Sequence, residues 1–204
     1  MSAPEPAPAR VSNWNIANQL TVLRLVLVPV FFWLLLHDDG AKDGWRIAAA
    51  VVFAIAAYTD RVDGNLARSR GLVTSFGKLA DPIADKALTG AAFVGLSLLG
   101  ELSWWVTGVV LVREISVTLL RFWVIRHGVM PASRGGKLKT VLQGLAIGLY
   151  VLPLTGLLAS GRAVVMALAV VVTVVTGVDY VVRALTLRTT SDRAAMKRAR
   201  RESA

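Results

Sequence analysis

Six apolar stretches dominate this chain, at about 17–37, 45–62, 82–100, 104–125, 139–160 and 163–186. A helix needs roughly 20 mostly apolar residues to cross a bilayer. Six such stretches therefore consume most of the 204 residues and leave short loops and two tails. The pattern predicts an all-α integral membrane protein with six transmembrane helices. Composition agrees, since 18% charged residues fall short of the roughly 25% that a soluble domain carries. The 55% apolar content also argues against disorder, which needs low hydrophobicity. With no Cys, the chain offers no disulfide, zinc-thiolate site or cysteine nucleophile. No small-residue cleavage site follows the first stretch, so it reads as an uncleaved span and not a signal peptide. The expected organisation is a disordered tail over 1–13, a six-helix membrane domain over 14–187 and a basic tail over 188–204.

A net charge of +10 suits either nucleic acid or an anionic membrane, and placement decides between them. Basic residues gather in the second loop (Arg61, Arg68, Arg70, Lys78), the fourth (Arg126, His127, Arg134, Lys137, Lys139) and the tail (Arg188, Arg193, Lys197, Arg198, Arg200, Arg201). The first loop is acidic, with Asp38, Asp39 and Asp43; the third holds Glu101 and the fifth Arg162. This alternation follows the positive-inside rule and places both termini in the cytoplasm. It implies a bilayer partner and no nucleic acid. Trp14 and Trp123 fall near expected inner ends, and Trp33, Trp45, Trp104 and Trp105 near outer ones, as interfacial belts do. Gly144 and Gly148 form a G-x-x-x-G, which is expected to mark close helix packing.

Carboxylates cluster between the second and third stretches. Asp60 and Asp63 are three apart and Asp81 and Asp85 four apart, so on helices each pair shares a face. Each alone has an ordinary reading as a solvated residue or a cap, and Asp81 before Pro82 fits an N-cap with Pro at the first helical position. Four converging carboxylates in a low dielectric cannot all stay ionised without a counter-charge. Two divalent cations supply one, and hard oxygen donors select magnesium, manganese or calcium over zinc. A metal pair about 4 Å apart is a device for phosphate chemistry. Gly64 allows a ligand close to the backbone, Gly77 serves the same end or a tight turn, and Arg68 presents a planar fork to a phosphate.

Asp60, Asp63, Gly64, Ala67, Arg68, Gly77, Asp81 and Asp85 together fit D-x-x-D-G-x-x-A-R-x8-G-x3-D-x3-D. This resembles the signature of the CDP-alcohol phosphatidyltransferase family at every fixed position. The resemblance implies a six-helix membrane enzyme, commonly a homodimer, that displaces CMP from CDP-diacylglycerol or a similar donor with an alcohol. It implies that Asp60, Asp63, Asp81 and Asp85 hold two divalent cations, Mg2+ or Mn2+. It makes Asp85 the general base. It puts Asp60, Gly64, Ala67, Arg68 and Gly77 at the CDP site.

The acceptor is read from other stretches. Asn15 to Arg24, Arg113-Glu114 with Arg121, and Gly136 to Gln143 resemble stretches of the family branch whose acceptor is glycerol 3-phosphate, although Ala17 stands where that branch usually has proline. Arg113 and Arg121 are eight apart and share a helix face, and an arginine inside a span is a functional candidate by default. Glu114, next to Arg113, is expected to diverge from it. Arg113, Arg121, Lys137 and Lys139 form the expected acceptor-phosphate cluster, with Thr21 and Arg24 as further candidates for that pocket or the CDP diphosphate. Inositol phosphate, or phosphatidylglycerol as in cardiolipin synthesis, remains an alternative acceptor within the family. An ion or metal transporter is the alternative of another class, but it should place carboxylates near mid-membrane on broken helices. The expected location is the plasma membrane, with the active site facing the cytoplasm.

Overall fold

The computed structural model describes residues 15–69, 74–124 and 134–202, and for 17, 61, 63–69, 75, 76, 78, 79, 121, 122, 124, 134 and 190–202 it describes the backbone alone. The expected tail over 1–13 lies outside the described residues. So do Arg70, Arg126 and His127 of the basic loops. Among the described residues there are six α-helices and no strand: α1 (Ile16–Leu36), α2 (Asp43–Ser69), α3 (Ser75–Leu98), α4 (Trp104–Val124), α5 (Arg134–Val151) and α6 (Gly156–Glu202), with a 3-10 turn at His37–Gly40.

Capping explains several helix ends. The Asn15 side chain accepts the Asn18 N–H at 3.0 Å and opens α1. Thr74 does the same for α3, its Oγ1 accepting the Gly77 N–H at 3.0 Å. The α3 start at Ser75 corrects the expected cap: Asp81 and Pro82 lie inside the helix, two turns from its start. α5 stops at Val151 because Pro153 disfavours a helical residue before it and offers no N–H, whereas the apolar stretch had suggested a span to about residue 160. α6 runs on to Glu202, so the basic segment expected as a tail continues the helix. Between α1 and α2, Asp38 and Asp39 take positive φ of 51° and 52°, a region aspartate tolerates better than most residues. The Lys42 ammonium, 2.7 Å from Asp38, holds that carboxyl below its usual range by hydrogen bonding. The rings of Trp33, His37 and Trp45 meet around this turn, tilted or edge to face.

The chain forms two compact units, Met1–Ala92 and Phe93–Ala204. In the first, α1 packs along α2. Arg46, Ala49, Phe53 and Ala56 recur at three- and four-residue steps and are buried, the spacing of one helix face. The next position on that face is Asp60. On α1 the buried series is Asn18, Thr21, Arg24, Phe31 and Leu35. Phe31 and Phe53 meet at 5.5 Å between ring centres. The helix pair is thus apolar along one half, apart from Arg46, and polar at the N-terminal half of α1.

In the second unit, α6 packs against α4 and α5. Met166, Ala169, Thr173, Thr176, Tyr180 and Ala184 of α6 are buried at helical spacing. Ser97 and Thr107 share a hydrogen bond of 2.6 Å, and the Thr107 hydroxyl reaches the Phe93 carbonyl at 3.2 Å. Arg162 donates to Glu101 at 2.7 Å and lies over the Tyr150 ring.

The outer faces are apolar as well. Val26, Val30, Trp33, Val112, Ile115, Leu119, Val171, Val175 and Val178 are all exposed. Water does not tolerate so large an apolar exterior, whereas lipid does. Two described helical stretches, Asn18–Gly40 and Gly156–Thr189, are long and apolar enough by length and composition to cross a membrane. The remaining helices place charged residues within their lengths, among them Asp60, Asp85, Arg113 and Lys139.

Candidate active site

Helix α1 begins with a polar face. Asn18, Thr21 and Arg24 follow one another at three-residue steps and are 4%, 1% and 0% exposed. Groups of this polarity are buried only with partners, and each meets one on α2 or at α3. The Asn18 amide and the Thr74 hydroxyl meet at 2.9 Å. The Thr21 hydroxyl donates to Asp81 Oδ1 at 2.6 Å. The Arg24 guanidinium meets Asp60 Oδ1 at 2.7 Å. Two carboxylates of the spaced pattern, on different helices, are therefore held by residues one turn apart on α1.

The fit is tight around Gly77. A Cβ there would stand 2.9 Å from Asn18 Oδ1 and 3.4 Å from Thr74 Oγ1, so only glycine admits Asn18 to the first turn of α3. The structure gives Gly77 this packing reason, in a helix and not in a turn. Asp85 lies one turn beyond Asp81 and is exposed. Asp63, Gly64, Ala67 and Arg68 lie on the helical backbone of α2, and their side chains are outside the described residues. Among the described residues, no three acidic or histidine side chains gather as a metal-binding group.

The donor chemistry nonetheless fits a hard cation. Arg24 engages one oxygen of Asp60, whose side chain stays 41% exposed. Thr21 engages one oxygen of Asp81. In each case the contact falls on one oxygen of a carboxylate that can bind through two.

The expected acceptor cluster divides. Arg113 donates to the Thr173 carbonyl at 3.1 Å, to Thr176 Oγ1 at 3.1 Å and to Glu114 Oε1 at 3.2 Å. Lys139, buried on α5, donates to the same Glu114 oxygen. Gln143, one turn on, donates to Thr173 Oγ1 at 3.0 Å. Lys137 is exposed, and the Arg121 side chain is outside the described residues. The expectation that Arg113 and Glu114 diverge is corrected: the long arginine side chain curls back across the helix surface to its neighbour. Glu114 as the hub of two cations was missed, although a lone acidic residue in a basic apolar stretch was the available signal. Asn18 was also missed as a site residue, although its three-residue step to Thr21 and Arg24 was visible. At Gly144 and Gly148 the expected close packing is not seen among the described residues; an added Cβ meets none of them within 4 Å at either.

Comparison with known proteins agrees on one family. The CDP-alcohol phosphatidyltransferase family model matches residues 14–175. A protein of Mycobacterium tuberculosis named probable phosphatidylglycerophosphate synthase is 57% identical over 177 residues, covering 87% of this chain and 84% of that protein. The CDP-diacylglycerol–glycerol-3-phosphate 3-phosphatidyltransferase of Bacillus subtilis is 35% identical over 180 residues, covering 82% and 93%. The Escherichia coli protein of the same name is 39% identical over 142 residues, covering 66% and 75%.

Proposed function

Because this chain belongs to the CDP-alcohol phosphatidyltransferase family, we propose that it moves the phosphatidyl group of CDP-diacylglycerol to sn-glycerol 3-phosphate. The products are phosphatidylglycerophosphate and CMP, and the setting is phospholipid synthesis in a membrane. The observation that carries this reading is the gathering of Asp60 and Asp81 onto adjacent turns of α1, within a sequence that holds the family's full spaced pattern. The relatives' names support the acceptor.

Asp60, Asp63, Asp81 and Asp85 are the residues that would hold two divalent cations, Mg2+ or Mn2+. When bound, such ions neutralise the diphosphate oxygens and stabilise the leaving phosphate. The chain's own groups do the rest. Asp85 takes the proton of the glycerol 3-phosphate hydroxyl. That oxygen forms a bond to the phosphorus next to the diacylglycerol, and the bond from that phosphorus to the CMP oxygen breaks. Gly64, Ala67, Arg68 and Gly77 line the CDP site. Arg113, Arg121, Lys137 and Lys139 meet the acceptor phosphate. A lipid donor and a soluble acceptor require a site open both to the bilayer and to water. The alternation of basic and acidic loops supports six spans, cytoplasmic termini and a site on the cytoplasmic face of the plasma membrane. A homodimer is part of the same reading.

The test is an assay of purified protein with CDP-diacylglycerol and a panel of acceptors, following CMP release and the lipid product. Glycerol 3-phosphate should be preferred. A preference for inositol phosphate or phosphatidylglycerol overturns the acceptor and keeps the family. No CMP release with any acceptor overturns the transferase.

A further inference from the structure

Thr21 and Arg24 have so far stood as candidates for contacting a substrate. Their burial argues otherwise. At 1% and 0% exposure they present almost no surface on which an acceptor or a diphosphate could rest. What they touch are carboxylates: Thr21 Oγ1 donates to Asp81 at 2.6 Å and Arg24 meets Asp60 at 2.7 Å. The helix geometry explains why one element serves two others. Three residues turn an α-helix by about 300° and raise it by about 4.5 Å. Asn18, Thr21 and Arg24 therefore fan across one side of α1 in steps of about 60°. The fan begins on α3, at Thr74 and Asp81, and ends on α2, at Asp60. Asn18 fixes the height of α3, with Gly77 leaving room for it. Thr21 and Arg24, about 4.5 Å apart along the α1 axis, then hold the carboxylates of α3 and α2.

We propose that Thr21 and Arg24 are positioning residues for the metal centre: they orient Asp81 and Asp60 toward the cations and do not contact either substrate. The inference rests on the reading that these carboxylates hold divalent metal. A carboxylate free to rotate must be ordered when a cation arrives, and a hydrogen bond from Thr21 or an ion pair with Arg24 made beforehand removes part of that cost. Outer-shell partners of this kind typically change metal affinity by about 10- to 100-fold when removed. Thr21 is the cleaner probe, because valine keeps its shape and removes only the hydroxyl. Arg24 carries charge as well, and lysine keeps the charge while losing the planar fork.

The experiment titrates full-length protein in detergent with Mn2+, reading free Mn2+ by electron paramagnetic resonance without substrate, and follows melting of the metal-free protein in parallel. Thr21→Val and Arg24→Lys should each raise the Mn2+ Kd by about 10- to 100-fold, and Thr21→Ser should restore it to within about threefold of wild type. At saturating Mn2+, the KM of Thr21→Val for CDP-diacylglycerol and for glycerol 3-phosphate should match wild type. A Kd within about twofold of wild type in either variant that melts as wild type does overturns the proposal. So does a raised KM at saturating Mn2+, which would return these residues to substrate contact. If one variant does not fold, the other decides. Wild-type protein that binds no Mn2+ overturns the metal reading itself, a failure visible before any variant is compared.

Discussion

Glu114 holds two basic side chains with one carboxylate oxygen, and its loss should show that the fold depends on it. Glu114→Gln leaves Arg113 and Lys139, 13% and 9% exposed, close together without their shared anion. Breaking a buried ion pair by removing one partner costs about 3–5 kcal/mol, so thermal unfolding in detergent should shift down clearly. A melting curve that overlays wild type would refute the hub. Lys137 makes the opposite prediction. It is exposed, so Lys137→Ala should leave unfolding unchanged while raising the KM for glycerol 3-phosphate about 10- to 150-fold, the equivalent of a lost charge-assisted hydrogen bond of about 1.5–3 kcal/mol. The KM for CDP-diacylglycerol should hardly move, and equal changes in both would place Lys137 elsewhere. At Asp85, asparagine cannot take a proton; Asp85→Asn should abolish CMP release while nucleotide binding persists. Near-normal turnover there removes Asp85 from the role of base.

Helices α4 and α6 meet around a glycine that the sequence did not single out. A Cβ on Gly177 would stand 3.0 Å from Arg113 Cγ and 3.3 Å from Nε. Arg113 is tied at Thr173, Thr176 and Glu114, so it cannot give way freely. Gly177→Ala should destabilise by about 1–3 kcal/mol, the usual range for overpacking. At Gly144 and Gly148 the same change meets open space and gains helix propensity of up to about 1 kcal/mol. Differential scanning of the three variants separates the two cases, and destabilisation at Gly144 or Gly148 would contradict the packing described. The contrast marks what was legible at this scale. Apolar stretches located each of the six described helices, because burial and lipid contact both select apolar residues. They placed both ends of α1 and α4 to within one residue but missed ends that depend on single groups: Thr74 as a cap for α3, Pro153 as a stop for α5. The Asp81-Pro82 pair misled for the same reason. Proline inside a helix is tolerated where neighbouring groups satisfy the freed carbonyl, and no local pattern distinguishes that from a helix start.

At the scale of the whole chain, the spaced carboxylates were plain in the sequence because the family pattern fixes residue type at set spacings, whereas their supports were not. Asn18, Thr21 and Arg24 resemble any polar entry to a span until the carboxylates are seen opposite them. The metal reading predicts that excess chelator abolishes turnover and that Mg2+ or Mn2+ restores it; full turnover in chelator would sink it. Depth is a further matter. On α6, Arg162 and Arg183 are 21 residues apart, about 31 Å of helix, and the hydrocarbon slab is about 30 Å thick. Between them the one charged residue is Asp179, which pairs with Arg183 at 2.9 Å. Charges resist immersion in hydrocarbon, so in the proposed membrane placement these two arginines would sit at the two faces and keep α6 from sliding along the membrane normal. Thr176 then lies about 10 Å below the plane of Arg183, and Arg113, bonded to it, lies as deep. For a soluble phosphate to touch Arg113, bulk water must reach down the same distance.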